Sequence, residues 1–205
     1  MSKRLEQQFK FILEADKEKN IKRQTYVSDG TRQENDAEHA WHMALMAILL
    51  NEHSNEKIDV LKTVTLILFH DIVEVDAGDT YCYDPDAKAT QAQREKAAAE
   101  RLYGLLPHDQ GEKLKSLWEE FEEYKTPEAK FARTMDNIQP LMLNNATGGR
   151  SWKEHSVHVN QVLKRNQRTK EGSADLWDYA YENFVKPNVE SGTLRSDKTD
   201  PTIGT

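Results

Sequence analysis

The chain has 205 residues, 37% hydrophobic and 31% charged, enough apolar material for one sizeable core. Its net charge of −7 excludes a general binder of nucleic-acid polymers, which needs a basic surface to neutralise phosphates. The single cysteine, Cys82, excludes an intrachain disulfide and a CxxC zinc site. The longest apolar run, 43–50, is too short to span a bilayer, and the first twenty residues lack the apolar stretch of a signal peptide. These features place the chain in the cytoplasm with no membrane partner. With only nine Gly and six Pro, it leans helical.

Residues 3–19 set Leu5, Phe9, Ile12 and Leu13 on one stripe, the pattern of an amphipathic helix. A polar loop is expected over 24–35. Asp36 is placed as the N-cap of a central helix that carries Glu38 and His39 in its first turn and runs to about 52. Residues 57–71 form a second apolar helix. Its end, VTLILF, has strand-like composition, but its length and charged start favour a helix. The turn-rich segment 76–87 reads as a loop. Further helices are expected at 88–105, 109–123, 127–145, 152–167 and 173–188. The expected organisation is an all-α bundle over 1–186, followed by a disordered tail over 187–205 that is nearly devoid of apolar residues.

The chemistry concentrates at the end of the second apolar helix. His70 and Asp71 directly follow Ile67-Leu68-Phe69, and ionisable groups at such a place are costly unless paired or bound to a cation. Glu74, Asp76 and Asp79 follow within ten residues. If the two apolar helices run antiparallel, His39 at the start of one lies near His70 at the end of the other. Asp136 sits inside an apolar helical stripe and also needs a partner. Taken singly, each residue has an ordinary reading. The His-Asp pair can be a helix end, His39 a capping histidine, and Asp136 a partner for Arg133. Together, two imidazoles and two carboxylates form a mixed N/O donor set suited to one Mn, Fe, Co, Ni or Zn ion. Glu74 or Asp79 would then position a water or move a proton. His42 is placed in a supporting role, and Cys82 outside the chemistry.

The strings RQENDAEHAWHMAL (32–45) and FHDIVEVDAGDT (69–80) resemble the HD-domain superfamily of metal-dependent phosphohydrolases. Within it they are most similar to the small stand-alone branch that includes the 5'-deoxynucleotidases. The resemblance runs from about residue 5 to 186. It implies an HD-domain helical bundle, commonly a homodimer, that removes phosphate from (deoxy)nucleoside 5'-monophosphates. By the same resemblance, His39, His70, Asp71 and Asp136 match the metal ligands, and Glu74 and Asp79 the acidic residues of catalysis and of substrate or water positioning. Arg23 aligns with an arginine that contacts phosphate, and Lys88 with a basic residue beyond the GD loop. Arg32 and Glu34 match a polar pair expected to hold the loop before His39. Other members of the superfamily act on phosphodiesters or alarmones, and a helical scaffold with a purely structural metal is the non-enzymatic alternative.

Overall fold

The structure, a computed structural model, describes residues 2–83 and 85–196, with the backbone alone for 85–88. Helices dominate. They are α1 (Lys3–Ala15), α2 (Asp36–Leu50), α3 (Val60–His70), the short α4 (Glu74–Ala77), α5 (Pro85–Tyr103), α6 (His108–Glu123), α7 (Pro127–Ala146), α8 (Arg150–Glu154), α9 (Val159–Arg165), α10 (Ala174–Ala180) and α11 (Lys186–Glu190). No helix among the described residues is long and apolar enough to cross a membrane.

The loop expected over 24–35 is largely an antiparallel hairpin, with β1 (Lys22–Tyr26) paired to β2 (Gln33–Asn35). Both strands are short and polar, so neither carries the apolar alternation that marks a half-buried strand. The turn uses Gly30 at φ +70, a conformation that suits glycine. Asp29 closes it by accepting hydrogen bonds from the Thr31 amide and hydroxyl at 2.9 and 2.7 Å.

The N-cap of α2 is Asn35, not Asp36. The Asn35 side chain accepts from the Glu38 amide, and Glu38 accepts from the Asn35 amide, a reciprocal capping box. This pins the start of α2 and sends Asp36 and His39 inward, both fully buried. The Asp59 side chain caps α3 in the expected way.

The main core joins Met43, Met46 and Ala47 of α2, Leu66 and Ile67 of α3, Phe121 of α6, and Phe131, Met135 and Ile138 of α7. A second cluster seats Phe11 of α1 against Leu102 and Tyr103 of α5. The apolar stripe of α1 faces outward, against expectation: Leu5, Phe9, Ile12 and Leu13 are all more than half exposed, and Phe11 is the buried residue. Trp41, Leu45, Ile48 and Leu49 of α2 and Leu61 and Leu68 of α3 are exposed as well, so α2 buries one face only.

The helix expected at 152–167 is two short helices, α8 and α9, because Ser156 adopts φ +52 between them. The folded part also extends past 186. Helix α11 reaches Glu190, Leu194 is fully buried, and the Val159 amide donates to the Arg195 carbonyl at 2.9 Å. One leucine in a polar segment anchors this stretch, which composition alone marked as tail. Residues 197–205 lie outside the described residues.

Candidate metal centre

Helices α2 and α3 pack side by side, and the start of one meets the end of the other as the antiparallel reading required. The His39 and His70 rings lie 5.9 Å apart between centroids. Helix α7 crosses both and brings Asp136 to within 3.3 Å of His39, Oδ1 to Nε2. Donor atoms of His39, His70 and Asp136, all three residues buried, lie within 4.8 Å of one another. Asp71 joins this group through Oδ1, 2.9 Å from His70 Nε2.

The His70–Asp71 approach tests whether a cation fits. His70 Nδ1 lies 2.7 Å from the Ile67 carbonyl oxygen, which can only accept, so Nδ1 carries the proton. On the neutral ring Nε2 then presents a lone pair to a carboxylate oxygen at 2.9 Å, and it has no hydrogen-bond partner. Two lone pairs at that separation repel. A shared cation removes the conflict, since adjacent donors around an ion bound at about 2.1 Å sit about 3 Å apart. The residues present therefore fit a divalent metal.

The surroundings support this donor set. Glu34, buried behind His39, places Oε1 3.6 Å from His39 Nδ1, and neither atom has a hydrogen-bond partner. Its other oxygen accepts from Gln139 Nε2 at 2.8 Å. Such a carboxylate orients a ligating imidazole. Glu34 is thus separate from Arg32, which instead binds Glu38 with two hydrogen bonds on the surface. His42 contacts Gln139 and not the donor cluster.

Burial disfavours the Asp71 carboxylate, but the positive charge around it, Arg23 included, outweighs burial and holds its pKa below the usual range. Burial likewise opposes charge on Asp136, and Arg165, His39 and Arg133 overcome it. Glu74 goes the other way. Burial and the neighbouring Asp71 and Asp36 carboxylates push its pKa well above the usual value, and its Oε2 has no partner. Burial and Asp71 lift Asp36 to about 7 against the pull of Arg23. Asp79 is also raised, mainly by burial.

Arg23, reaching in from β1, donates through Nη1 to Asp36 Oδ1 at 3.1 Å and Asp71 Oδ2 at 2.9 Å. Asp79 lies just past α4, where Gly78 takes φ +74 and ψ 147, a backbone state nearly restricted to glycine. Arg94 of α5 holds this loop by donating to the Ala77 carbonyl and to Thr80 Oγ1. Asp76 turns away to the surface and pairs with Arg101. The side chain of Lys88 lies outside the described residues.

His70, Asp71, Glu74, Asp79 and Asp136 line one cavity of about 490 Å³, with Arg23, Arg133 and Arg165 on its walls. That volume is in the range of small-molecule sites. Tyr81, Cys82, Tyr83, Trp118 and Trp152 add aromatic and apolar surface. Sequence reasoning missed Arg165, and placed Glu34, Asp36 and Arg133 in other roles. The motif Asn35-x-x-Glu38 was a readable sign that Asp36 lies inside the first turn and is not its cap.

The model of the HD domain family matches residues 15–177. A solved structure from Magnetospirillum magnetotacticum MS-1, described as a predicted metal-dependent phosphohydrolase, is 44% identical to this chain. It superposes with a TM-score of 0.89 over 93% of this chain and 95% of the other. A conserved hypothetical protein from Pyrococcus furiosus, 23% identical at a TM-score of 0.54 over 80% of this chain and 97% of that one, shares the fold. Among curated proteins, 5'-deoxynucleotidase HDDC2 of Danio rerio is 33% identical over 124 residues, 60% of this chain and 56% of that protein. The Homo sapiens protein of the same name is 32% identical over 124 residues, 60% of this chain and 55% of that protein. The match thus spans about half the length of these curated relatives. On the family match and the His-Asp doublet at the end of α3, the chain belongs to the HD domain family.

Proposed function

We propose that the chain is a metal-dependent phosphomonoesterase that converts (deoxy)nucleoside 5'-monophosphates to nucleoside and phosphate. The observation that carries this reading is the cavity. One chamber is lined by His70, Asp71 and Asp136 of the donor set, by Glu74 with an unpartnered oxygen and by three arginines, in a volume suited to a nucleotide. The relatives named 5'-deoxynucleotidase supply the substrate class.

His39, His70, Asp71 and Asp136 would hold the metal, one of Mn, Co, Fe, Ni or Zn by donor chemistry. When bound, such an ion supplies Lewis-acid polarisation of a phosphoryl oxygen and a more acidic water. Glu74, with its raised pKa, is suited to hold a proton at Oε2 and pass it to the leaving 5'-oxygen, or to take one from the attacking water. Asp79, at the edge of the chamber, accepts a hydrogen bond from water or the sugar. Arg23 keeps Asp71 charged and offers its remaining donors to the phosphate. Lys88 is assigned to the phosphate on the resemblance alone.

The exposed apolar residues of α1, α2 and α3 support a homodimer, since burying them against a second copy removes them from water. The lone cysteine is compatible with the cytoplasm. The test of the reading is phosphate release by the Mn- or Co-loaded protein from a panel of ribo- and deoxyribonucleoside monophosphates, with cyclic and pyrophosphorylated nucleotides beside them. Release from the monophosphates alone is expected. Release from the cyclic or pyrophosphorylated nucleotides alone would favour the phosphodiesterase or alarmone reading, and no release at all the scaffold.

A further inference from the structure

We propose that Arg165 is a second protein anchor for the substrate's phosphate beside Arg23, on the flank of the cavity formed by Asp136; this rests on the phosphomonoesterase reading above. Three arginines line the chamber, and they differ in how far the protein already satisfies them. Arg23 binds Asp36 and Asp71, with Glu34 Oε1 3.9 Å from its Nε. Its positive charge is more than matched. Arg133 donates to Glu122 at 2.9 Å, lies over the Phe121 ring at 4.1 Å and approaches Asp136 at 3.4 Å. It too is occupied.

Arg165 is different. Among the described residues its hydrogen bond goes from Nη2 to Asp136 Oδ2 at 2.7 Å. Arg165 lines the cavity beside Cys82 and Tyr83. Asp136 is also a poor sole counter-ion. Its Oδ1 faces His39 Nε2 in the donor cluster, while Oδ2 is shared by Arg133 and Arg165. With a divalent cation on the Oδ1 side, that one carboxylate would be shared between the ion and Arg165, since Arg133 also has Glu122. That flank then carries surplus positive charge at the mouth of a cavity, next to the atoms that would hold the ion. A phosphate dianion matches the surplus, and a guanidinium fork matches phosphate oxygens in shape.

The experiment uses full-length, Mn-loaded protein and three variants, Arg165→Gln, Arg165→Lys and Arg133→Gln. Binding of inorganic phosphate and of deoxyadenosine is measured by calorimetry, metal content by elemental analysis, and KM and kcat on deoxyadenosine monophosphate. Arg165→Gln is expected to weaken phosphate binding and raise KM by about 10–100-fold, the scale of hydrogen bonds to a charged group. Its deoxyadenosine affinity and metal content should stay within about twofold of wild type. Arg165→Lys should fall between, because it keeps charge and loses the fork, and Arg133→Gln should have the smaller effect.

Unchanged phosphate affinity in Arg165→Gln overturns the proposal. So does loss of metal in step with loss of phosphate binding, which would make Arg165 a positioning residue for Asp136. If Arg165→Gln fails to fold, Arg165→Lys decides, and wild-type phosphate affinity in that variant counts against the fork. A wild type that hydrolyses no monophosphate and binds no phosphate overturns the functional reading itself, and the proposal with it.

Discussion

The Ile67 carbonyl accepts a hydrogen bond from His70 Nδ1 and thereby decides which nitrogen faces Asp71. Glu34 stands in the corresponding place behind His39, with its Oε1 opposite Nδ1. Replacing Glu34 with Gln should lower metal affinity by about 10–100-fold, the usual cost of losing such a supporting acceptor. Competition against a chelator measures this, and unchanged affinity would contradict the role. Glu18 offers a pH test. Burial, with Asp71 and Asp36 nearby, raises its pKa from 4.5 to about 8. The folded chain therefore binds this proton more tightly than the unfolded chain, and the wild type loses stability as pH rises through that window. Glu18→Gln removes the titration, so its stability relative to wild type should improve by about 1–3 kcal/mol between pH 4 and pH 8.5. Urea melts at both values check it, and a constant difference would refute it. Three of the four proposed ligands were legible as ionisable groups in an apolar setting, and His39 through the expected antiparallel pairing of two apolar helices. Arg165 was not, because it closes a short helix of polar composition where an arginine reads as surface.

Among the elements, the long helices α2, α3, α6 and α7 were readable from periodicity. The hairpin β1–β2 was not, since polar strands carry no such signal, although it delivers Arg23. The orientation of α1 was misjudged for a related reason. Periodicity identifies an apolar face and says nothing of what covers it, and here Phe11 alone faces the core. Helix α7 depends on a close backbone contact that no pattern reveals. A Cβ placed on Gly172 would lie 2.3 Å from the Lys130 carbonyl oxygen and 2.4 Å from Thr134 Oγ1. Gly172→Ala should destabilise the protein by about 1–3 kcal/mol in urea melts, the scale of overpacking. A wild-type midpoint would mean that the loop yields freely.

At the scale of the whole molecule, the apolar residues turned outward on α1, α2 and α3 are not among those that line the cavity. Trp41, 64% exposed on α2, is the natural probe. If this face is the dimer contact, Trp41→Glu should shift the protein from dimer to monomer in sedimentation, with an unaltered circular dichroism spectrum. A wild type that already sediments as a monomer would remove the proposal. The segment up to residue 196 belongs to the fold through Leu194, so truncation at 186 should cost stability, and an unchanged melt would contradict that packing. The central claim is that the cluster of His39, His70, Asp71 and Asp136 holds a metal that works with Glu74. It is tested most directly by stripping the protein with chelator, restoring one equivalent of Mn, and following phosphate release from deoxynucleoside monophosphates by wild type and Glu74→Gln. The account predicts that the metal restores wild-type activity, and that Glu74→Gln binds the same metal but turns over about 100-fold more slowly or worse. A metal-loaded wild type that releases no phosphate, or a Glu74→Gln protein at full rate, would contradict it.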